Sequence, residues 1–180
     1  MAIGATLKSA QITNDDASPI ALNSSGVSGP YRRTWYDGYV TTGTDNDAGT
    51  KYLLVRVKST VKVKNVILES AAQGASMAVN VGVYYADDVR FLAPGVAPLV
   101  GTVINANFFA SAVALTTAVA PTDVVNQAVT PYTLAKRDEP LWQALSLAAN
   151  PGGYFDIVLT TTAAGTGGAL VGLRVGVSEN

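Results

Sequence analysis

Lys51-Tyr-Leu-Leu-Val-Arg-Val-Lys58, Val61-Lys-Val-Lys64 and Met77-Ala-Val-Asn-Val-Gly-Val-Tyr-Tyr85 decide the fold. In the first stretch Leu53, Val55 and Val57 alternate with Leu54, Arg56 and Lys58. In the second, Val61 and Val63 alternate with Lys62 and Lys64. In the third, Met77, Val79, Val81, Val83 and Tyr85 share one face, and small or polar residues take the other. A period of two places every second side chain on the same side of an extended chain, so these are half-buried strands. Gln73-Gly74 supplies the turn between the second and third, and Ala86-Asp87-Asp88 the exit.

Outward from this core the same grammar recurs. Phe155, Ile157 and Leu159 alternate with Asp156, Val158 and Thr160, after an Asn150-Pro-Gly-Gly153 turn. Val171, Leu173, Val175 and Val177 form a last strand with Arg174 on its opposite side. Leu99–Ile104 reads as a strand. The stretch from Phe108 to Ala120 has no clean period, and its valines and threonines favour strand over helix. Val124–Val129 is a further apolar stretch. Asp138-Glu139-Pro140 before Leu141-Trp-Gln-Ala-Leu145 places carboxylates and a proline at a helix entry, which predicts one or two helical turns. The total is roughly eight to ten short strands and little helix, the pattern of an all-β antiparallel β-sandwich or jelly roll. The expected organisation is an extended N-terminal arm over 1–36, broken by turn formers, and a body over 37–180.

Composition removes whole classes of chemistry. The 180 residues include no histidine and no cysteine, so imidazole bases, thiolate nucleophiles and His or Cys metal ligands are absent. Twelve basic and 13 acidic residues give a net charge of −1, which provides no long-range field to draw in nucleic acid. No run of about 18 apolar residues marks a membrane span, and the first residues lack the pattern of a secretion signal. No enzyme motif, cofactor motif or small-molecule substrate site is legible. Asp45-Asn-Asp-Ala-Gly49 has oxygen ligands at alternate positions, but its glycine falls one place early for a calcium loop, so a loop between strands is expected. The adjacent carboxylates Asp87-Asp88 and Asp138-Glu139 are expected in solvent.

Candidate partner contacts lie near the N-terminus. Ile12, Ile20 and Leu22 dot the arm with apolar anchors. Tyr31-Arg32-Arg33-Thr34-Trp35-Tyr36-Asp37-Gly38-Tyr39 packs four aromatics and two arginines into nine residues, the types enriched where protein surfaces meet. An aromatic cluster closing one end of the core, or base stacking, are the other readings of that stretch. If residues 53–64 form one hairpin or bent strand, Arg56, Lys58, Lys62 and Lys64 make a basic face. Its readings are an acidic protein partner, phosphate contact, or a solvated face that discourages edge pairing.

The C-terminal third carries a resemblance. Asp138-Glu-Pro-Leu-Trp-Gln-Ala-Leu145, then Ala149-Asn-Pro-Gly-Gly-Tyr-Phe-Asp-Ile157, then Gly172-Leu-Arg-Val175 resembles a group of small head proteins of tailed bacteriophages. In that group a Pro-Leu-Trp stretch and an Asp-Pro-Gly-Gly turn precede the last strand; here Asn150 takes the place of the aspartate. Tyr84-Tyr-Ala-Asp-Asp-Val-Arg-Phe-Leu-Ala93 is similar in style. The resemblance implies a virion protein made in the host cytoplasm. It implies a decoration or cement module on the outer surface of an icosahedral head, commonly trimeric, that clamps neighbouring major capsid protein subunits. The alternative is a tail, collar or fibre component that binds a host-surface glycan through exposed aromatics.

Overall fold

The computed structural model describes residues 6–8, 13, 33–43, 46–86, 101–125 and 130–179, and the side chains of residues 6, 7 and 33 fall outside that description. Nine strands are described: β1 (Thr6–Lys8), β2 (Arg33–Thr41), β3 (Lys51–Lys58), β4 (Lys62–Ser70), β5 (Ala78–Tyr85), β6 (Val103–Ala114), β7 (Val119–Asp123), β8 (Tyr154–Ala163) and β9 (Leu170–Ser178). They form a five-stranded sheet in the order β1-β3-β8-β5-β6 and a four-stranded sheet in the order β2-β9-β4-β7. All pairings are antiparallel except β1 with β3.

The order has a simple origin. β5 and β6 form a hairpin, and outward from it β4 pairs β7, β3 pairs β8 and β2 pairs β9. The chain is therefore one long double-stranded ribbon, rolled so that successive strands pass from sheet to sheet. This is the jelly roll, two Greek keys face to face, and it bears out the all-β sandwich expected from the alternation.

Between the sheets lies one apolar core. Val79, Val81 and Val83 of β5, Phe155, Ile157 and Leu159 of β8, and Val171, Leu173, Val175 and Val177 of β9 are all buried in it. β2 closes tightly on this core. A Cβ on Gly38 would lie 1.9 Å from the Leu54 carbonyl oxygen, so only glycine permits the approach. Phe108, Phe109 and Tyr132 meet edge to face or tilted, with ring centroids 4.9–5.2 Å apart. The expected helix is one turn, α1 (Leu141–Ala144), after a 3-10 turn at Leu134–Asp138. Its first amides donate to Val61 and Ser59 carbonyls, which fixes it to the β3–β4 turn.

Several local expectations need correction. In β3 a register shift between Leu53 and Val55 places both Leu54 and Val55 in the core and turns Leu53 to the other side of the sheet. A bulge adds a residue without adding a partner, so simple alternation fails across it. β6 explains the missing period of 108–120. Its register to β5 shifts repeatedly, Ala112 has φ +50°, and consecutive Phe108 and Phe109 are both buried. Of the expected strand at 99–104, residues 99–100 lie outside the described residues, 101–102 precede β6 and 103–104 begin it. Of the expected stretch 124–129, Val124 and Val125 follow β7 as buried loop residues and 126–129 lie outside the described residues. Within the span expected as an arm, Thr6–Lys8 add to the edge of the five-stranded sheet beside Lys51–Leu53, and β2 begins at Arg33.

Candidate functional site

The candidate site is the outer face of the four-stranded sheet. Along β2, Tyr36 and Val40 pack against the core, so Trp35, Asp37, Tyr39 and Thr41 point the other way. The register sets them in rows. Trp35, Gly176 and Asn65 form one row, Asp37, Arg174 and Ile67 the next, and Tyr39, Gly172 and Glu69 the third. Trp35, Tyr39 and Leu170 are exposed large apolar side chains, Tyr39 at 65%.

Two glycines shape this face. Gly176 lies under the Trp35 ring, whose carbons sit 3.0 Å from where a Cβ would be. Gly172 is left bare. The result is a depression of about 750 Å³ lined by Tyr39 of β2, Glu69 of β4, Leu170 and Arg174 of β9, and Val119, Ala120 and Pro121 of β7. Arg174 Nε donates to Asp37 Oδ1 at 2.9 Å, with both side chains more than half exposed.

The sequence candidates scatter. Ile12, Ile20, Leu22, Tyr31 and Arg32 lie outside the described residues, as does the side chain of Arg33. Trp35 belongs to the outer face, whereas Tyr36 is half-buried against the core. The basic face does not exist as one surface, because β3 and β4 belong to different sheets. Arg56 is buried against Asp156, with Nε–Oδ1 2.7 Å. Lys58 is 3.5 Å from Glu179, and Lys64 is 2.5 Å from Asp138. The bond from Lys64 and its charge hold the Asp138 carboxyl below the usual carboxylate range. The turn at Ser59-Thr60 is a crossing between sheets rather than a hairpin, and that separates the cations.

The other constellations have structural jobs. Asn46 is buried, donates to the Gly43 carbonyl and accepts from the Tyr52 hydroxyl. Burial pushes the Tyr52 phenol up to about 12. Burial likewise pushes Tyr132, which donates to the Val63 carbonyl, above the ordinary tyrosine range. Asp87 and Asp88 lie outside the described residues. Among the described residues no cluster of acidic side chains is arranged to hold a metal, and no helix is long and apolar enough to cross a membrane.

Sequence reasoning missed Glu69, Leu170 and Gly172 as members of a surface. The signal was present in Leu170-Val-Gly-Leu-Arg-Val-Gly-Val177. Its outward positions read Leu, Gly, Arg, Gly, an unusual face for a central strand.

A jelly-roll sandwich with one sculpted outer face is thus the class of protein defined by the fold. Over 98% of this chain and 99% of the other, the structure is similar to a chain from the capsid of Ralstonia phage GP4, with a TM-score of 0.59 and 14% identity. A chain of the cyanophage Pam1 capsid asymmetric unit covers 92% of this chain and 97% of its own length, with a TM-score of 0.48 and 11% identity. No protein-family model and no curated protein matches the sequence. At these identities the likeness is one of fold.

Proposed function

We propose that the chain is a structural protein of a phage head that decorates the outer surface and stabilises it by bridging major capsid protein subunits. The observation that carries this reading is the fold likeness to a chain of a phage capsid along the full length of both. The chemistry agrees with it. A chain without histidine or cysteine, with 14% charged residues and a net charge of −1, is suited to permanent contact with protein more than to turnover or to nucleic acid.

In this proposal residues 1–36 reach across adjacent capsid subunits, and the body associates with two further copies. Three linked attachments convert modest contacts into a durable grip, because the second and third bindings are intramolecular. The host cytoplasm is where the chain is made, and the virion is where it acts.

The test is addition of the purified chain to heads that lack it. Saturable co-sedimentation and a higher temperature of head disruption are expected. Absence of binding at micromolar protein sinks the reading. A variant lacking residues 1–30 separates arm from body: unchanged occupancy and head stability would remove the arm from the proposal. Light scattering on the free protein tests the trimer, whose mass is three times the 18.5 kDa chain.

A further inference from the structure

We propose that the depression over Gly172 binds a neutral saccharide, independently of the head reading. Its polar lining comes from three neighbouring strands, Asp37 and Tyr39 of β2, Glu69 of β4 and Arg174 of β9, and Val119, Ala120 and Pro121 of β7 add an apolar wall. The register puts Tyr39 and Glu69 on either side of Gly172, with the Asp37–Arg174 pair one row away. Between them the strand offers no side chain at all.

The polar groups are available. Arg174 spends only Nε, on one oxygen of Asp37. Its two Nη groups, the second oxygen of Asp37, the Glu69 carboxylate and the Tyr39 hydroxyl make no hydrogen bond or ion pair with the described residues. Carboxylates accept from sugar hydroxyls and a guanidinium donates to them. The Tyr39 ring and Leu170, 65% and 51% exposed, supply apolar surface for the C–H face of a pyranose.

Competing occupants fit less well. The depression of about 750 Å³ falls within the roughly 300–1,000 Å³ range of small-ligand sites. The centre of a protein–protein contact is depleted in charged residues, and here Asp37, Glu69 and Arg174 are all part of the lining. An anion would meet two carboxylates against one guanidinium that is already paired. A neutral polyol meets both donors and acceptors without a charge penalty.

The experiment applies the full-length chain to an array of immobilised neutral hexose, N-acetylhexosamine and sialylated oligosaccharides, and titrates the positives by calorimetry. Neutral oligosaccharides should bind and sialylated ones should bind more weakly. Gly172→Val fills the floor. Its Cβ would lie 3.4 Å from the Gly38 carbonyl oxygen and 3.5 Å from the Tyr39 Cβ, ordinary contact distances, so the strand has room for a Cβ there. Gly172→Val and Tyr39→Ala, each with an unchanged melting temperature, should both weaken binding at least ~10-fold. Binding to no oligosaccharide at millimolar concentration overturns the proposal, as does binding that both variants leave intact. Loss of head binding by Gly172→Val without any saccharide binding also overturns it, and assigns the depression to a protein partner.

Discussion

The two outer faces of the sandwich each carry an arginine directly opposite an aspartate on the neighbouring strand. Arg56 faces Asp156 across β3 and β8, and Arg174 faces Asp37 across β9 and β2. The Nε–Oδ1 distances are 2.7 and 2.9 Å. The environments are opposite, at 2% and 1% side-chain exposure for the first pair and 59% and 56% for the second. Beside the first pair, Leu53, Tyr84 and Val158 form an apolar cluster on the outside of the five-stranded sheet, with Ala106 packed against it.

β6 contributes to that cover. Between the pairs Val81–Ala110 and Val83–Asn105, one residue of β5 stands opposite four of β6. The excess chain crowds Gly82, where an added Cβ would lie 2.4 Å from backbone atoms of Asn105 and Ala106. The corresponding glycine of the other sheet, Gly172, has no such neighbour. One outer face is thus built as a second small core and the other as an accessible surface. Which side of a sheet a residue occupies and whether that side is wet are separate questions.

Substitutions that treat the two faces alike break or sharpen this contrast. Asp156→Ala has the largest expected effect, a loss of about 3–5 kcal/mol in urea unfolding, because it removes the carboxylate that faces a buried guanidinium. The double variant Arg56→Met/Asp156→Leu should recover most of that loss. A single-variant cost near zero would show that solvent reaches the pair and would erase the contrast.

Gly82→Ala should cost about 1–3 kcal/mol, from a Cβ forced into the backbone of β6. Gly172→Val should leave the unfolding midpoint within experimental error. Equal costs at the two glycines would mean that the faces are covered alike.

The inner face has its own probe in alkali. Tyr52 is fully buried, and its pKa rises from 10.0 to about 12 on folding. The neutral phenol is favoured in the folded state, so its contribution is complete below pH 10 and is lost as pH rises through 12. Stability should fall by about 1–3 kcal/mol across that window. In Tyr52→Phe the part of the decline owed to this group should vanish.

Tyr84→Phe removes the 2.8 Å contact of the hydroxyl with Thr160 Oγ1 beside the covered cluster. It should cost about 1 kcal/mol by thermal unfolding. Asp37→Ala, which breaks the exposed pair, should cost less than about 1 kcal/mol, and less still in 0.5 M salt.

Much of the fold was legible because one covered side leaves a period of two. Val79, Val81 and Val83, or Phe155, Ile157 and Leu159, reach the core whichever strands flank them. The helix after Pro140 was legible because its entry is encoded within a few residues. The candidate site was legible only in part. Trp35 and Tyr39 stood out by type, but Glu69 and Gly172 meet Tyr39 only through the pairing of β2 with β9 and β9 with β4. Those partners are about 100 residues apart for β4 and β9 and more for β2 and β9, and no local pattern links them.

The sequence by itself determined the alternating strands through Val79–Val83, Phe155–Leu159 and Val171–Val177 with their inward sets, the short helix after Pro140 and the absence of imidazole and thiol chemistry. Each of these depends on residue type or on neighbours within one strand. Only the tertiary structure decided that Lys58 and Lys62 belong to different sheets, that Leu53 crosses to the outside at a bulge, and that Arg56 is buried while Arg174 is exposed. The same arginine, opposite the same aspartate on an outward face, belongs to a covered cluster or to an open depression according to what else the fold brings over it.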